Sequence, residues 1–365
     1  MDLSKAYDCL PHDLLIAKLE AYGIGRKSLK LIYSYLSGRD QRVRAASHYS
    51  TYKQIKIGVP QGSVLGSLLF NIFINDLFLI ELKSDLCNFA DDNTLYACGH
   101  SFESIVWKLE NDLEKILNWF SANNMIASPG KFQLMFLGMK ETEQLGLNIN
   151  GQIIRASDKV KLLGVTIDNK LTFGQHVDNI CMKVNTKVKA LSRLSCYINF
   201  KQVSTLLNAI IMSNFNYCPL IWMFCSKTAN KSINRAHKRA LRVLYQEFES
   251  CFEELLSRHG DVTIHVKNLQ KLLVEVYKTL HHLNPSYLWE NFQTKPITYN
   301  LRKKVLCELP QRSETVKYGI NSLRFRGAML WNTLNDDVKN LESAEAFKKE
   351  IKNWDGTNCL CSICK

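Results

Sequence analysis

Apolar residues recur at helical spacing through the first part of the chain. This spacing predicts four helices, over 13–22, 28–36, about 63–79 and 101–123. Short or alternating apolar runs predict strands over 41–46, 52–57, 132–137 and 161–167, and a hairpin over 86–96. Helices mixed with hairpins favour an α+β fold over a doubly wound parallel sheet.

The chain becomes mainly helical and basic from about residue 169, with one further helix predicted over 268–283. Residues 170–242 hold twelve Lys and Arg against one acid, Asp178, in a chain of net charge +13 and pI near 9.1. Such a concentrated basic segment indicates a polyanionic partner. The change in charge suggests a boundary after residue 168, and the helical and basic signals weaken after Tyr245. We therefore expect three regions, 1–168, 169–246 and 247–365, the last without an assigned role.

The cysteines and the apolar stretches bear on the compartment. Twelve scattered cysteines lie mostly within apolar runs, which is typical of buried free thiols in a reducing environment. The longest apolar stretch, 63–80, contains Asn71, Asn75 and Asp76, so it predicts a buried helix and no membrane span. We therefore expect a soluble intracellular protein of the cytoplasm or nucleus, with no membrane partner.

Three short motifs occur in order within the α+β region. They are Asp-Leu-Ser-Lys-Ala-Tyr-Asp at 2–8, Gly-Val-Pro-Gln-Gly-Ser-Val-Leu-Gly at 58–66 and Phe-Ala-Asp-Asp at 89–92. In order and spacing they resemble the palm motifs of reverse transcriptases of the non-LTR retrotransposon type, the long interspersed element class. The resemblance covers 1–167 well and 169–245 loosely.

This resemblance implies an RNA-directed DNA polymerase with a right-hand polymerase palm, an antiparallel sheet with packed helices. The palm would be followed by a basic helical thumb-like region. The partners would be an RNA template, a DNA primer and a dNTP, with two Mg²⁺ ions (or Mn²⁺) as cofactors. Asp2 and Asp91 would bridge both metals, and Asp92 would be the more peripheral carboxylate. Ordinary turn chemistry is the alternative for an Asp-Asp pair.

The resemblance also suggests binding roles outside the carboxylates. Tyr7 would be the aromatic gate that excludes a 2′-hydroxyl, unless it is a core aromatic. Gln61 and Gly62 would form a turn close to the nucleotide and template; the alternative is the start of a helix after Pro60, and both can hold. Lys131 matches the catalytic lysine near the triphosphate, with a solvated surface lysine as the alternative.

One predicted helix carries a cationic stripe. Lys231, Arg235, Lys238, Arg239 and Arg242 fall within about 100° of one another on a helical wheel. Apolar residues occupy the opposite face, namely Ile233, Ala236, Ala240, Val243 and Leu244. In a polymerase thumb the stripe would bind the phosphates of a template–primer duplex, whereas the alternative is an ordinary solvated face.

The ends of the chain depart from these patterns. Cys359, Cys361 and Cys364 resemble part of a zinc site, but no fourth Cys or His lies nearby, so we expect an exposed cysteine tail. The family's fingers region should precede Asp2, and we expect an N-terminally truncated copy with impaired activity. The alternative functions are a non-catalytic nucleic-acid-binding remnant and, less favoured, a maturase-like protein.

Overall fold

The computed structural model describes residues 1, 3, 5–139, 145–294, 306–309, 319–357, 359 and 361–364. The chain divides into two compact units, residues 1–163 and residues 164–365. In the described residues no helix is long and apolar enough to span a membrane.

The first unit mixes helices with small antiparallel sheets, as predicted. Its helices are α1 (His12–Ala21), α2 (Arg26–Leu36), α3 (Val64–Ile74) and α4 (Phe102–Ala122), with short 3₁₀ turns at Ala6–Asp8, Asn75–Leu79 and Pro129–Lys131. Its strands are β1 (Arg39–Gln41), β2 (Arg44–Ala45), β3 (His48–Tyr49), β4 (Lys53–Ile55), β5 (Asp85–Phe89), β6 (Asp92–Tyr96), β7 (Gly146–Ile149), β8 (Gln152–Arg155) and β9 (Lys159–Leu162). β1 pairs with β4, β2 with β3, β5 with β6 and β7 with β8.

The four predicted helices and the 86–96 hairpin are confirmed, and the apolar faces of α1, α3 and α4 form the core. The fully buried side chains of this core include Leu15, Leu19, Phe70, Phe73, Ile116 and Phe120. Burying six such side chains contributes on the order of 10 kcal/mol before the entropy of ordering them is subtracted. This core supports the loops that carry the three motifs.

The predicted strand over 132–137 is wrong. Among the described residues of that segment only Leu134 forms a β-bridge, with Ala156. The strands that follow are instead β7 and β8, joined at Asn150 and Gly151 with positive φ angles of 49° and 82°. Asn-Gly favours such a hairpin turn because both residues tolerate positive φ. This dipeptide could have indicated the hairpin, whereas the apolar pattern did not.

The second unit is mainly helical after β10 (Val165–Asp168). Its helices are α5 (Gly174–Leu194), α6 (Phe200–Leu206), α7 (Ser213–Asn216), α8 (Pro219–Trp222), α9 (Lys227–Tyr245), α10 (Phe252–His259), α11 (Ile264–Leu280), α12 (Leu323–Asn332), α13 (Asp336–Lys339) and α14 (Ala344–Ile351), with a π turn at Leu207–Met212. α5 packs on α9, and α11 packs against α12 and α14. The helix predicted over 268–283 is confirmed as α11, and the separate roles of 169–246 and 247–365 stay predictions.

Candidate active site and nucleic-acid interface

A tight turn between β5 and β6 presents the Asp-Asp pair. Phe89 and Asp92 are paired across the two strands, and Ala90 adopts a φ of 54°, which is a strained conformation for alanine. The side chain of Asn88 donates to the Ala90 carbonyl at 2.8 Å. The side chain of Asn93 donates to the Asp91 carbonyl at 3.0 Å. These amides hold the turn in one conformation.

The two amide side chains also bind each other, and that of Asn93 is shielded from water. Asn88 Nδ2 donates to Asn93 Oδ1 at 2.8 Å, and Asn93 is only 1% exposed. A buried amide that satisfies its hydrogen bonds locally adds rigidity instead of a desolvation cost. Sequence reasoning did not single out Asn88 or Asn93 because they lie outside the matched motif.

A buried carboxylate fixes the other end of the hairpin. Asp112 of α4 has no exposed surface, and one of its oxygens accepts from the backbone nitrogens of Lys83 and Ser84, both at 2.7 Å. These two residues directly precede β5. The hairpin is therefore anchored to α4 at its base and braced by amides at its tip.

The start of the chain lies beside β6. The backbone nitrogen of Met1 donates to the Asn93 carbonyl at 2.6 Å, and Asn93 N donates to the Met1 carbonyl at 3.3 Å. Leu3 forms an antiparallel bridge with Ala127. Asp2, the predicted metal-bridging carboxylate of the first motif, lies outside the described residues.

The second motif packs directly on the first. Val59 N donates to the Tyr7 carbonyl at 2.9 Å, and Gly58 N donates to the Leu10 carbonyl at 2.7 Å. Gly58 has a φ of +88°, and a Cβ there would lie 2.8 Å from the Asp8 Cα. Only glycine permits both this φ and this approach, which explains the residue at the start of the motif.

Tyr7 lies close to the Asp-Asp turn. Its ring is half-buried and stacks on Phe70, with ring centroids 4.3 Å apart. Burial, followed by the negative charge of Asp91, raises the pKa of the Tyr7 hydroxyl. Tyr7 is thus both a packed aromatic and a neighbour of the predicted metal-binding carboxylate, so the two sequence interpretations are compatible.

Gln61 and Gly62 follow in an exposed turn before α3. Gln61 Nε2 donates to Asp8 Oδ1 at 3.0 Å, which links the second motif to the end of the first. Gly62 has a φ of +79° and open space around it. Ser63 then caps α3 by accepting from Gly66 N at 3.0 Å. The turn both begins the helix and leaves room beside the first motif.

Lys131 lies in the same unit and shares a cavity with the second carboxylate of the pair. Asp92 and Lys131 both line a cavity of about 180 Å³, together with Met1, Asn93 and Leu113. Tyr7, Gln61 and Gly62 do not line this cavity. The structure therefore associates Tyr7 with Asp91, and Lys131 with Asp92.

The carboxylates of the turn suit a hard divalent cation. Asp91 is half-buried and Asp92 is exposed. Among the residues that the structure describes, no donor hydrogen-bonds to either carboxylate, so their oxygens remain available as ligands. Mg²⁺ prefers one or two such carboxylates plus phosphate and water oxygens. The residues present fit a magnesium site.

The predicted basic helix is α9, and its two faces are as expected. Ile233, Ala236, Ala240, Val243 and Leu244 are buried in the core of the second unit. Of the cationic residues, Lys231, Arg235 and Arg239 are exposed, whereas Lys238 and Arg242 are half-buried.

Two arginines of the stripe also make hydrogen bonds within the second unit. Arg239 donates to Asn185 Oδ1 at 3.0 Å, and Arg242 donates to the Ser250 carbonyl at 3.2 Å. Each guanidinium has five N–H groups, so these contacts orient the side chains and leave further donors.

A groove between α5 and α9 adds cations that the sequence reasoning missed. Lys189 and Arg193 of α5 line a cavity of about 520 Å³ with Arg239 and Arg242 of α9. Phe248, which is 64% exposed, lies on the same groove. We call these five residues the basic groove. Residues 189 and 193 are spaced i, i+4, so a helical wheel of α5 could have revealed them.

Comparison with known proteins shows what the first part of the chain is similar to. Residues 1–167 match the family described as "Reverse transcriptase (RNA-dependent DNA polymerase)". The chain is 29% identical over 201 residues to the "RNA-directed DNA polymerase from mobile element jockey" of Drosophila melanogaster, which covers 53% of this chain and 22% of that protein. It is 26% identical over 251 residues to the "Probable RNA-directed DNA polymerase from transposon X-element" of the same species, covering 67% and 28%.

A relative from another insect agrees with these two. The chain is 29% identical over 146 residues to the "Retrovirus-related Pol polyprotein from type-1 retrotransposable element R1 2" of Nasonia vitripennis, covering 38% of this chain and 35% of that protein. The chain thus spans about a fifth to a third of the length of these relatives. The match over residues 1–167 and these relatives together support a reverse transcriptase of the type carried by non-LTR retrotransposons.

Proposed function

We propose that this chain carries the palm of an RNA-directed DNA polymerase that joins a dNTP to a primer 3′-hydroxyl. The observation that carries the proposal is the braced β5–β6 turn, which presents Asp91 near Tyr7 and Asp92 in the cavity that Lys131 also lines. The family match over residues 1–167 supports the same chemistry.

The carboxylates are the proposed ligands of the catalytic ions. Asp91 and Asp2 would bridge two Mg²⁺ or Mn²⁺ ions, with Asp92 as the peripheral ligand. The ions, when bound, lower the pKa of the primer hydroxyl and neutralise the charge of the triphosphate. The contribution of the protein is to fix the carboxylates, and the amide bonds of Asn88 and Asn93 do this at the turn.

Three further side chains are assigned to the nucleotide and the leaving group. The Tyr7 ring, held by its stack on Phe70, would close the pocket against a ribose 2′-hydroxyl. Gln61 and Gly62 would line the path of the nucleotide and template. Lys131, which shares a cavity with Asp92, would supply positive charge or a proton to the pyrophosphate.

The second unit is the proposed holder of the RNA template and DNA primer. The basic groove places four cations around one cavity, and Lys231, Arg235 and Lys238 extend the charge along α9. Contacts of this kind bind the phosphates of any sequence and weaken with salt. They also favour one alternative function, a nucleic-acid-binding remnant that has lost catalysis.

Primer extension on poly(rA)–oligo(dT) tests the catalytic proposal. We expect incorporation by the wild-type chain with Mg²⁺ or Mn²⁺, and a loss of at least about 10³-fold in Asp91→Asn, since the metal ions supply several kcal/mol. Asp85→Asn is the matched control, because Asp85 is an exposed acid at the far end of the same hairpin.

The outcomes separate the two functions. If wild type and Asp91→Asn show the same background while salt-sensitive duplex binding persists, the chain is a binding remnant and the catalytic proposal is wrong. If Asp85→Asn loses as much activity as Asp91→Asn, the effect belongs to the hairpin's charge or folding and the assignment of Asp91 fails.

A further inference from the structure

The fold brings a histidine from the middle of the chain to the three cysteines of the C-terminal tail. His265 lies in the first turn of α11, and its Nε2 is 3.2 Å from Cys361 Sγ. One ligand atom from each of His265, Cys359, Cys361 and Cys364 lies within 4.8 Å of the others. The fourth group that the tail lacks in sequence is therefore supplied from 96 residues before Cys361.

The expectation of an exposed cysteine tail is wrong for Cys361, which is buried. Cys361 is 1% exposed and His265 is 4% exposed, whereas Cys364 is exposed. Among the described residues, His265 Nδ1 has no hydrogen-bond partner, so the polar contacts of this buried ring are with the thiols. Thiols are weak hydrogen-bond partners, and they compensate poorly for burying an imidazole.

The chain before the tail is fixed against α11. Gln270 Nε2 donates to the Trp354 carbonyl at 2.7 Å. Gly356 has a φ of +92°, and a Cβ there would lie 3.2 Å from Val266 Cγ2, so the backbone approaches the first turn of α11 closely. Cys359 N then donates to the Gly356 carbonyl at 3.2 Å. The turn at Gly356 thus positions the cysteine tail next to His265.

We propose that His265, Cys359, Cys361 and Cys364 form a Cys₃His zinc site that holds the C-terminal tail on α11. A tetrahedral zinc with Zn–S distances of about 2.3 Å separates its ligand atoms by about 3.8 Å, and the four groups are already within 4.8 Å. Four protein ligands leave no open position, so the site is structural. Binding displaces the three thiol protons to solvent as the thiolates form bonds to zinc.

The site differs from a zinc knuckle because its ligands are not contiguous. A metal bound here links α11 to a segment that follows α14. Because these two parts meet only in the folded second unit, the metal binds the folded state in preference to the unfolded state and stabilises it. The binding free energy adds to the stability of the second unit, and removing the metal lowers it. This role does not depend on the polymerase proposal.

Metal analysis of the full chain tests the site. The protein is purified under a non-metal-binding reductant, and its zinc is measured by mass spectrometry. We expect about one zinc per chain in wild type and in Cys196→Ser, an exposed cysteine of the same unit outside the cluster. We expect Cys364→Ser, which removes the exposed ligand, to weaken zinc binding by at least about 100-fold.

Cobalt provides a second readout that does not depend on the metal acquired during expression. Co²⁺ added to the stripped wild-type chain should give the intense visible bands of a tetrahedral thiolate site and stop at one equivalent. Cys364→Ser and His265→Gln should lose or shift these bands. The proposal is overturned if the wild-type chain binds neither metal stoichiometrically, or if Cys364→Ser binds zinc as tightly as Cys196→Ser.

Discussion

The β5–β6 hairpin of the first unit and the basic groove of the second unit differ in whether their charged side chains make hydrogen bonds within the protein. At the hairpin, the amides of Asn88 and Asn93 fix the backbone, and the carboxylates of Asp91 and Asp92 accept no hydrogen bond from the described residues. In the groove, the charged groups themselves make the protein contacts, as Arg239 does with Asn185 and Arg242 with the Ser250 carbonyl.

This difference agrees with the role proposed for each region. A metal-binding carboxylate acts only at one position, so its backbone has to be rigid, and an error of about 1 Å can cost on the order of 10²-fold in rate. A phosphate-binding cation acts through charge over several ångströms, so its exact position matters less and its effect is weakened by salt. Mutations should therefore affect rate at the hairpin and affinity at the groove.

Among variants that keep the Asp91 and Asp92 carboxylates, removing the Asn93 side chain should produce the largest effect. Asn93→Ala deletes the hydrogen bonds to the Asp91 carbonyl and to Asn88, and it leaves the half-buried Asn88 amide with its bond to the Ala90 carbonyl alone. We expect nucleotide incorporation to fall by about 100-fold because the turn loses its fixed geometry. Single-turnover primer extension at saturating duplex measures this, and duplex affinity should stay unchanged.

The control is Asn118→Ala, an exposed asparagine on α4 where alanine favours the helix. Its activity should equal that of wild type. An Asn93→Ala chain that melts at the wild-type temperature and extends primers at the wild-type rate would show that the amide bracing is irrelevant to catalysis.

The next largest predicted effect is on the pH dependence of stability and comes from His237. Unlike the Asn93 amide, which has hydrogen-bond partners, the His237 ring is buried without them among the described residues. It is fully buried on the inner face of α9 between Phe215 and Phe252, and neither ring nitrogen has a partner among the described residues. Burial lowers the pKa of His237 to about 4, with Lys267 lowering it further, Asp261 opposing, and His259 lowering it slightly.

The unfolded chain therefore takes up a proton on His237 before the folded chain does. The contribution of neutral, buried His237 to the free energy of unfolding is fully present above a pH of about 6.5, and it is lost as the pH falls towards 4. At pH 5 the loss is about 2 kcal/mol. His237→Leu, which removes no hydrogen bond, should reduce this acid sensitivity in urea unfolding at pH 7.5 and pH 5.

His100→Leu, at an exposed histidine of the first unit, should leave the pH dependence as in wild type. If His237→Leu loses the same stability on acidification as wild type, then His237 is protonated in the folded state and the inner face of α9 is not as dry as its burial indicates.

Neutralising the groove should have the smallest of these effects. Arg193→Ala combined with Arg239→Ala removes two cations that line one cavity. We expect RNA–DNA duplex binding to weaken by about 10-fold, and the slope of log affinity against log salt to fall by about two. Fluorescence anisotropy over a salt series measures both quantities.

The charge-matched control is Lys349→Ala with Lys352→Ala, two exposed lysines at the end of α14. Because these residues lie outside the groove, their removal should change the salt slope much less. Equal slopes for the two double variants would mean that binding follows net charge alone and that the groove is no specific interface.

The sequence predicted the parts of the site that local chemistry determines. The second motif needs Gly58 because of its φ and its approach to Asp8, and the Phe-Ala-Asp-Asp run is a turn because Ala90 and Asp91 connect two paired strands. The apolar and cationic faces of α9 follow from helical spacing in the same way.

Contacts between distant residues could not be predicted in this way. The amide pair of Asn88 and Asn93 depends on the register of the hairpin, and the groove depends on which face of α5 packs against α9. His265 joins the cysteine tail only because α11 and the tail pack together. In each case the sequence contains the residue types, but the tertiary fold chooses the partners.

If the Asp91 turn performs the chemistry and the basic groove binds the duplex, rate and affinity should separate in one experiment. This experiment is a single-turnover incorporation assay across a duplex titration for wild type, Asp91→Asn and the Arg193→Ala, Arg239→Ala variant. We predict that Asp91→Asn loses the maximal rate and keeps its duplex Kd, whereas the groove variant raises the Kd and keeps the maximal rate. A loss of rate and affinity together in both variants, or a normal rate in Asp91→Asn, would show that the two regions do not divide chemistry and binding in this way.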